Sequence, residues 1–262
     1  MKLSILFLML ALFAMAAGQA QAAVKTKAVT YAYDGQTLKG FLAWDDAQTG
    51  KRPGVLVVHE WWGLNDYAKK RAEQLAGMGY VAFACDMYGD GKLVDNPKAA
   101  GELAGGLRKD HKTWMGRALA AVKVLQDDPN VDPSKIAAIG YCFGGSTALE
   151  LANTASPIVA AVGFHAALPP IDAEKAKKIK ARILIAHGAD DTFISDESIK
   201  QTKDAYDAAK VNYRFVAYPG AVHSYTVPDA DSRNIKGIAY NAAADRQSWA
   251  DMQKLFAEAF GK

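Results

Sequence analysis

The sequence predicts an α/β protein, a mostly parallel sheet with helices on both faces, and three observations predict it. Short, continuous apolar runs recur along the chain, among them Gly54–Val58, Ile136–Ile139 and Ile183–His187. Such runs mark strands buried on both faces. Segments with apolar residues at three- to four-residue spacing alternate with them, and strand–helix alternation is the pattern of a covered parallel sheet. No internal repeat, low-complexity tract or Pro/Ser-rich linker interrupts the alternation, so residues 23–262 read as one domain.

The elements follow in order. Ala28–Tyr33 and Leu38–Trp44 alternate around Asp34-Gly35 and read as a hairpin. Gly54–Val58 is a buried strand, and Tyr67 to Ala76 carries helical spacing that stops near Gly77 and Gly79. Tyr80–Ala84 is the next strand, Asp86 to Asn96 is loop-like, and helices are expected over Lys98–Leu107 and Trp114–Leu125. The second half predicts strands at Ile136–Ile139, Ile158–Gly163, Ile183–His187 and Tyr213–Tyr218. Helices are expected at Ser146–Ala152, Ala173–Ile179, Glu197–Ala209 and Ala242–Phe260.

Composition bounds the partners. The 262 residues are half hydrophobic and carry a net charge of +3, with no basic stripe interleaved with aromatics, which argues against nucleic acid. The basic run Lys175 to Arg182 reads as a solvated helix face. Lys2, the apolar stretch Leu3 to Ala17 and the small-x-small site Ala20-Gln21-Ala22 form a signal peptide over residues 1–22. The apolar stretch is shorter than the ~20 residues of a spanning helix. The expected mature protein starts at Ala23, is periplasmic or secreted, and has no membrane attachment once the signal is removed. Its two cysteines, Cys85 and Cys142, invite a disulfide in an exported protein, but the surroundings of Cys142 read as those of a reactive thiol.

In a parallel sheet the active site lies at the carboxyl ends of the strands. Strand Ile136–Ile139 runs into Gly140-Tyr141-Cys142-Phe143-Gly144-Gly145 and then a helix. This is a nucleophile elbow with cysteine in the serine position. Its glycines let the backbone pass closely, and the positive end of the following helix favours an anion at the thiol. An acid and a histidine are expected next, in that order. Gly188-Ala189-Asp190-Asp191-Thr192-Phe193-Ile194 follows one strand, and Pro219-Gly220-Ala221-Val222-His223-Ser224-Tyr225 follows the next. His223 is the expected base. The spacing G-x-x-D-x-x-aliphatic favours Asp191, with Asp190 as the alternative. The loop His59-Glu60-Trp61-Trp62-Gly63 supplies one oxyanion-hole amide, at Trp61, and Phe143 the other. Glu60 is a carboxylate at the mouth of the site, and Trp61 and Trp62 are candidates to line an acyl pocket. His59-Glu60 does not extend to a zinc-binding H-E-x-x-H, because Gly63 occupies the last position. His187 reads as a core histidine and His111 as an exposed one.

These motifs, with Cys85-Asp86-Met87-Tyr88-Gly89 and His223-Ser224-Tyr225, resemble the dienelactone hydrolase (carboxymethylenebutenolidase) family of the α/β-hydrolase fold, over nearly the whole mature chain. The resemblance implies a triad of Cys142, Asp191 and His223 and the hydrolysis of small-molecule esters or lactones through an acyl-thiol intermediate. It implies neither cofactor nor metal. It further implies that Glu60 interacts with the resting thiol and helps it ionise, and that Tyr88 and Tyr225 join Trp61 and Trp62 around the substrate. The chain departs from the family at Val227, four residues after His223, where dienelactone enzymes place an arginine that holds the substrate carboxylate. Lys98, Arg108 and Arg233 are the cations that remain to supply such a charge. Export is a second departure, since aromatic-ring catabolism in the family is typically cytoplasmic. The expected substrate is therefore an uncharged ester or lactone. The alternatives are a thioesterase or small-peptide hydrolase, and a non-catalytic thiol sensor on the same scaffold.

Overall fold

The computed structural model describes residues 24–261. The expected signal segment lies outside these residues. The chain opens with strands β1 (Val24–Tyr33) and β2 (Gln36–Asp45), paired antiparallel about the Asp34-Gly35 turn. Next come β3 (Arg52–Val58), helix α1 (Asp66–Gly77), β4 (Val81–Cys85), α2 (Pro97–Lys109) and α3 (His111–Asp127). They are followed by β5 (Val131–Tyr141), α4 (Phe143–Asn153), β6 (Ala160–Phe164) and α5 (Ala173–Ala176). The fold closes with β7 (Arg182–Gly188), α6 (Asp196–Ala209), β8 (Tyr213–Tyr218) and α7 (Ala242–Phe260).

One eight-stranded sheet runs in the order β1-β2-β4-β3-β5-β6-β7-β8. From β4 to β8 every pairing is parallel, and β2 joins β4 antiparallel. The sheet separates two cores. Leu56, Val58, Phe83 and Ala138 face α3 and α4, whereas Val55, Val57, Ala137 and Ile139 face α1 and α7. Successive strand residues point to opposite faces, so a strand between two helical layers is apolar at every position, and β3 is buried throughout. Each such Leu, Val or Phe contributes about 1.5–3 kcal/mol by leaving water.

Several elements run a few residues beyond their expected extents, and two differences have a clear physical cause. β5 begins at Val131, because Arg52 and Pro53 pair with Val131 and Asp132 before a register shift admits the polar segment ahead of Ile136. The helix expected over Ala173–Ile179 is one turn, Ala173–Ala176, in which only Ala176 is buried. With lysines at 175, 177, 178 and 180 that segment has too little apolar surface to dock a longer helix.

Candidate active site

Cys142 sits between β5 and α4 with φ 53° and ψ −114°, strained for any residue with a side chain. The turn is imposed by close backbone approach. A Cβ on Gly140 would lie 2.1 Å from Gly144 O, and one on Gly144 would lie 2.1 Å from Val58 O. The Cys142 amide donates to Phe164 O at 3.0 Å, which ties the elbow to β6. Cys142 is half-buried and Cys85 is fully buried, and both are free thiols.

His223 follows β8, and its own amide donates to Gly237 O at 3.1 Å. Its Nδ1 lies 2.8 Å from Asp191 Oδ2, and both side chains are buried. Asp191 is oriented in turn by the Phe193 amide, which donates to its Oδ1 at 2.9 Å. Asp190, the alternative acid, is exposed. Burial by itself lowers the basicity of His223; the negative charge at Cys142 and the hydrogen bond to Asp191 outweigh it and push the imidazole up to about 10. The structure thus brings Cys142, His223 and Asp191 together at the carboxyl ends of β5, β8 and β7. The amides of Trp61 and Phe143 donate to no acceptor among the described residues.

Glu60 is placed differently from expectation. Its carboxylate is buried and accepts a 2.8 Å hydrogen bond from Ser224 Oγ, next to His223, and makes no hydrogen bond to the thiol. Burial raises its pKa above the usual carboxylate range, against the opposing pull of Ser224, His223 and Arg233. Ser224 has φ +56°, and this turn sends the next side chain inward. Tyr225, expected in the substrate pocket, is consequently a core residue: it is fully buried and its hydroxyl donates to Ala186 O at 3.3 Å. Tyr88 is also buried, and its hydroxyl donates to Trp61 O at 2.9 Å, so it props the loop after β3. Trp61 is half-buried and meets Trp62 edge-on at 4.9 Å.

The cations divide. The Arg233 guanidinium lies 3.9 Å over the Trp62 ring, within electrostatic reach of Glu60. Arg108 lies 5.4 Å over the Phe143 ring. Lys98 is exposed on α2. Val227 is buried and, with Glu60, Tyr67, Arg71 and Arg233, lines a cleft of about 590 Å³. His187 is buried with its ring tilted 5.4 Å from that of Phe215, whereas His111 is exposed and pairs with Glu150 at 2.6 Å.

Three neighbours of His223 lie outside the set expected from sequence: Ser224, Phe193 and His165. The Phe193 ring is 5.2 Å from the His223 ring and 54% exposed, so it offers an apolar contact at the mouth. His165 lies at 5.2 Å on a buried side. Its signal in the sequence is its place directly after a buried strand, the position at which the fold puts its chemistry.

The chain is similar to known proteins over nearly its whole described length. The dienelactone hydrolase family profile matches residues 38–260. The solved structure of a dienelactone hydrolase-like promiscuous phosphotriesterase from metagenomic libraries is 42% identical, with a TM-score of 0.87 over 90% of this chain and 98% of its own. A Synechocystis sp. protein provisionally named a carboxymethylenebutenolidase is 29% identical over 245 residues, 89% of this chain and 96% of its own. The protein usf of Aquifex pyrophilus is 28% identical over 202 residues, 75% of this chain and 85% of its own. The eight-stranded sheet, the elbow and the profile match across it lead to one conclusion: the chain belongs to the dienelactone hydrolase family, hydrolases of ester bonds on the α/β-hydrolase fold.

Proposed function

We propose that the protein is an exported hydrolase of uncharged carboxylic esters or lactones with Cys142 as nucleophile. The alignment of Cys142, His223 and Asp191 carries this reading. His223 holds the proton taken from the thiol, and the thiolate sulfur bonds to the substrate carbonyl carbon as the C=O electron pair moves onto oxygen. The amides of Trp61 and Phe143 stabilise that oxyanion, each donor worth about 2.7–4 kcal/mol in such sites. Collapse breaks the C–O ester bond, and the leaving oxygen takes the proton from His223. His223 then deprotonates water, which attacks the thioester; the acid departs and Cys142 regains its proton. Asp191 holds the imidazole tautomer and stabilises the imidazolium.

The preference for an uncharged substrate rests on Val227. An aliphatic group there leaves a buried carboxylate without its bidentate partner, and Arg108 and Arg233 each lie over an aromatic face. The 42% identical phosphotriesterase supports a second reading, in which the same site also accepts phosphotriesters.

The test uses the mature protein with chromogenic esters, lactones and a phosphotriester, including a neutral ester and its carboxylate-bearing analogue. Iodoacetamide at neutral pH labels Cys142 before the buried Cys85, and Cys142→Ala abolishes turnover with an unchanged far-UV spectrum. Turnover by that variant overturns the nucleophile. A preference of about a hundredfold for the anion, ~2.7 kcal/mol in transition-state binding, overturns the substrate reading. Export predicts that protein from the exported fraction begins at Ala23 by mass spectrometry; an intact Met1 overturns it.

A further inference from the structure

His165 lies against the proposed base without a part in the chemistry above. It follows β6 directly and has φ +39°, a left-handed conformation that a side-chain-bearing residue adopts only where its surroundings impose it. It is fully buried in a box of rings: His223 at 5.2 Å with planes at 68°, Tyr225 at 5.4 Å and Tyr141 at 6.0 Å. Its amide donates to Ala186 O at 2.8 Å and so anchors it to β7.

A hydrogen-bond chain holds the ring. Arg71 Nε donates to the Tyr67 hydroxyl at 3.2 Å, and that hydroxyl donates to Thr226 Oγ1 at 2.7 Å. Thr226 Oγ1 lies 2.8 Å from His165 Nε2. A guanidinium only donates, and the single Tyr67 proton is committed to Thr226. Thr226 Oγ1 and Nε2 are hydrogen-bonded whichever of them donates, since a hydroxyl both donates and accepts, and the ring's other nitrogen is Nδ1. That Nδ1 has no hydrogen-bond partner among the described residues. Burial, and then the charge of His223, hold the imidazole well below the ordinary histidine value. A neutral ring therefore packs against a cationic one.

We propose that His165 is a positioning residue for His223: its ring, held by the Arg71–Tyr67–Thr226 chain, fixes the plane in which His223 bridges Asp191 and Cys142. This rests on the reading of His223 as the base. Asp191 bonds Nδ1 and Cys142 lies within side-chain hydrogen-bond reach of the ring, and a ring held through two such contacts can still tilt about the line that joins them. Phe193, on another side, is largely exposed and yields. An edge-on contact from a buried ring removes the tilt. The titratable groups that face His223 are Cys142, Asp191, Glu60, His187 and His165; those around His165 are His223, Tyr67, Tyr141, Tyr225 and Arg71.

The experiment is an NMR titration of the ¹⁵N-histidine-labelled protein beside kcat and KM. The variants are His165→Asn, which tolerates positive φ but removes the ring, His165→Phe, which restores a ring, and Thr226→Val, which cuts the anchor. In His165→Asn the His223 midpoint falls from about 10, because a tilted ring loses Cys142 and Asp191. With it kcat falls about tenfold or more while KM stays within about threefold. His165→Phe keeps a ring but not the Thr226 bond, so it and Thr226→Val both fall between His165→Asn and wild type. An unmoved His223 titration in His165→Asn or Thr226→Val overturns the proposal, whatever the melting temperature does. So does a His165→Phe no better than His165→Asn. Thr226→Val leaves residue 165 untouched, so the titration still decides the matter where a replacement at 165 does not fold. The titration needs no turnover; failure of the nucleophile and base assignment shows separately, as activity in Cys142→Ala.

Discussion

Glu60 carries one of the larger unpaired electrostatic burdens at the site. Its carboxylate is buried, and the Ser224 hydroxyl is its hydrogen-bond partner. What compensates it is the positive charge of His223 and Arg233, both of which draw its pKa back down. The attraction is mutual, so Glu60 in turn supports the imidazolium. Glu60→Gln keeps an acceptor for Ser224 and deletes the charge. The expected result is a changed pH profile of Cys142 alkylation and a kcat/KM lower by about fivefold, or ~1 kcal/mol. Because a buried carboxylate is costly to leave ionised, the urea midpoint should hold or rise. An unchanged profile with unchanged turnover makes Glu60 a bystander.

The elbow between β5 and α4 has no slack, and the reason is backbone rather than side-chain crowding. A methyl group on Gly144 meets Val58 O at 2.1 Å and His59 O at 2.5 Å, and neither carbonyl can move without disturbing β3. Gly101 on α2 is the contrast, since a Cβ there meets nothing within 4 Å. Gly144→Ala should lose about 1–3 kcal/mol, the scale of overpacking, together with activity. Gly101→Ala should gain about 0.5–1 kcal/mol, the helix-interior difference between the two residues. Urea unfolding of both variants checks the pair. A Gly144→Ala protein as stable and active as wild type removes the account of the turn.

Across the whole molecule, histidines gather where the parallel strands end. His59 follows β3, His165 follows β6 and His187 lies at the end of β7. Burial lowers the pKa of all three below the ordinary value of 6.5. Below that pH the unfolded chain binds protons that the native state refuses, so native stability falls on acidification through the window under 6.5. Each histidine contributes up to ~1.4 kcal/mol per pH unit. Glu60 acts in the opposite sense, since its raised pKa lets the native state bind a proton more readily than the unfolded chain above pH 4.5. His223 and Asp245, both raised, act in the same sense as Glu60, so His165→Phe isolates the contribution of one buried neutral ring: its urea midpoint should fall less, or rise more, from pH 7 to pH 5 than that of the wild type. A pH dependence unchanged by His165→Phe contradicts the assignment of that ring as neutral.

The strands, most helix limits and the positions of Cys142, His223 and the 190–191 loop were readable in the chain, because each is written in local pattern. Two-face burial makes β3 apolar at every position, and α7 matches its expected span, Ala242–Phe260. The elbow announces itself through glycines whose need is local. What no periodicity could reveal is how loops after different strands meet. Glu60 and Ser224 are 164 residues apart and touch because the loops after β3 and β8 both leave the sheet at the strands' carboxyl ends. The inward turn at Ser224 that buries Tyr225 and the seating of His165 beside His223 are of the same kind. A strand's side chains alternate by geometry, whereas a loop side chain points where strand order and packing aim it. The fold and the place of Cys142 in the elbow are therefore properties of short segments. The surroundings that set the charge of His223 arise only when β5, β6, β7 and β8 lie side by side.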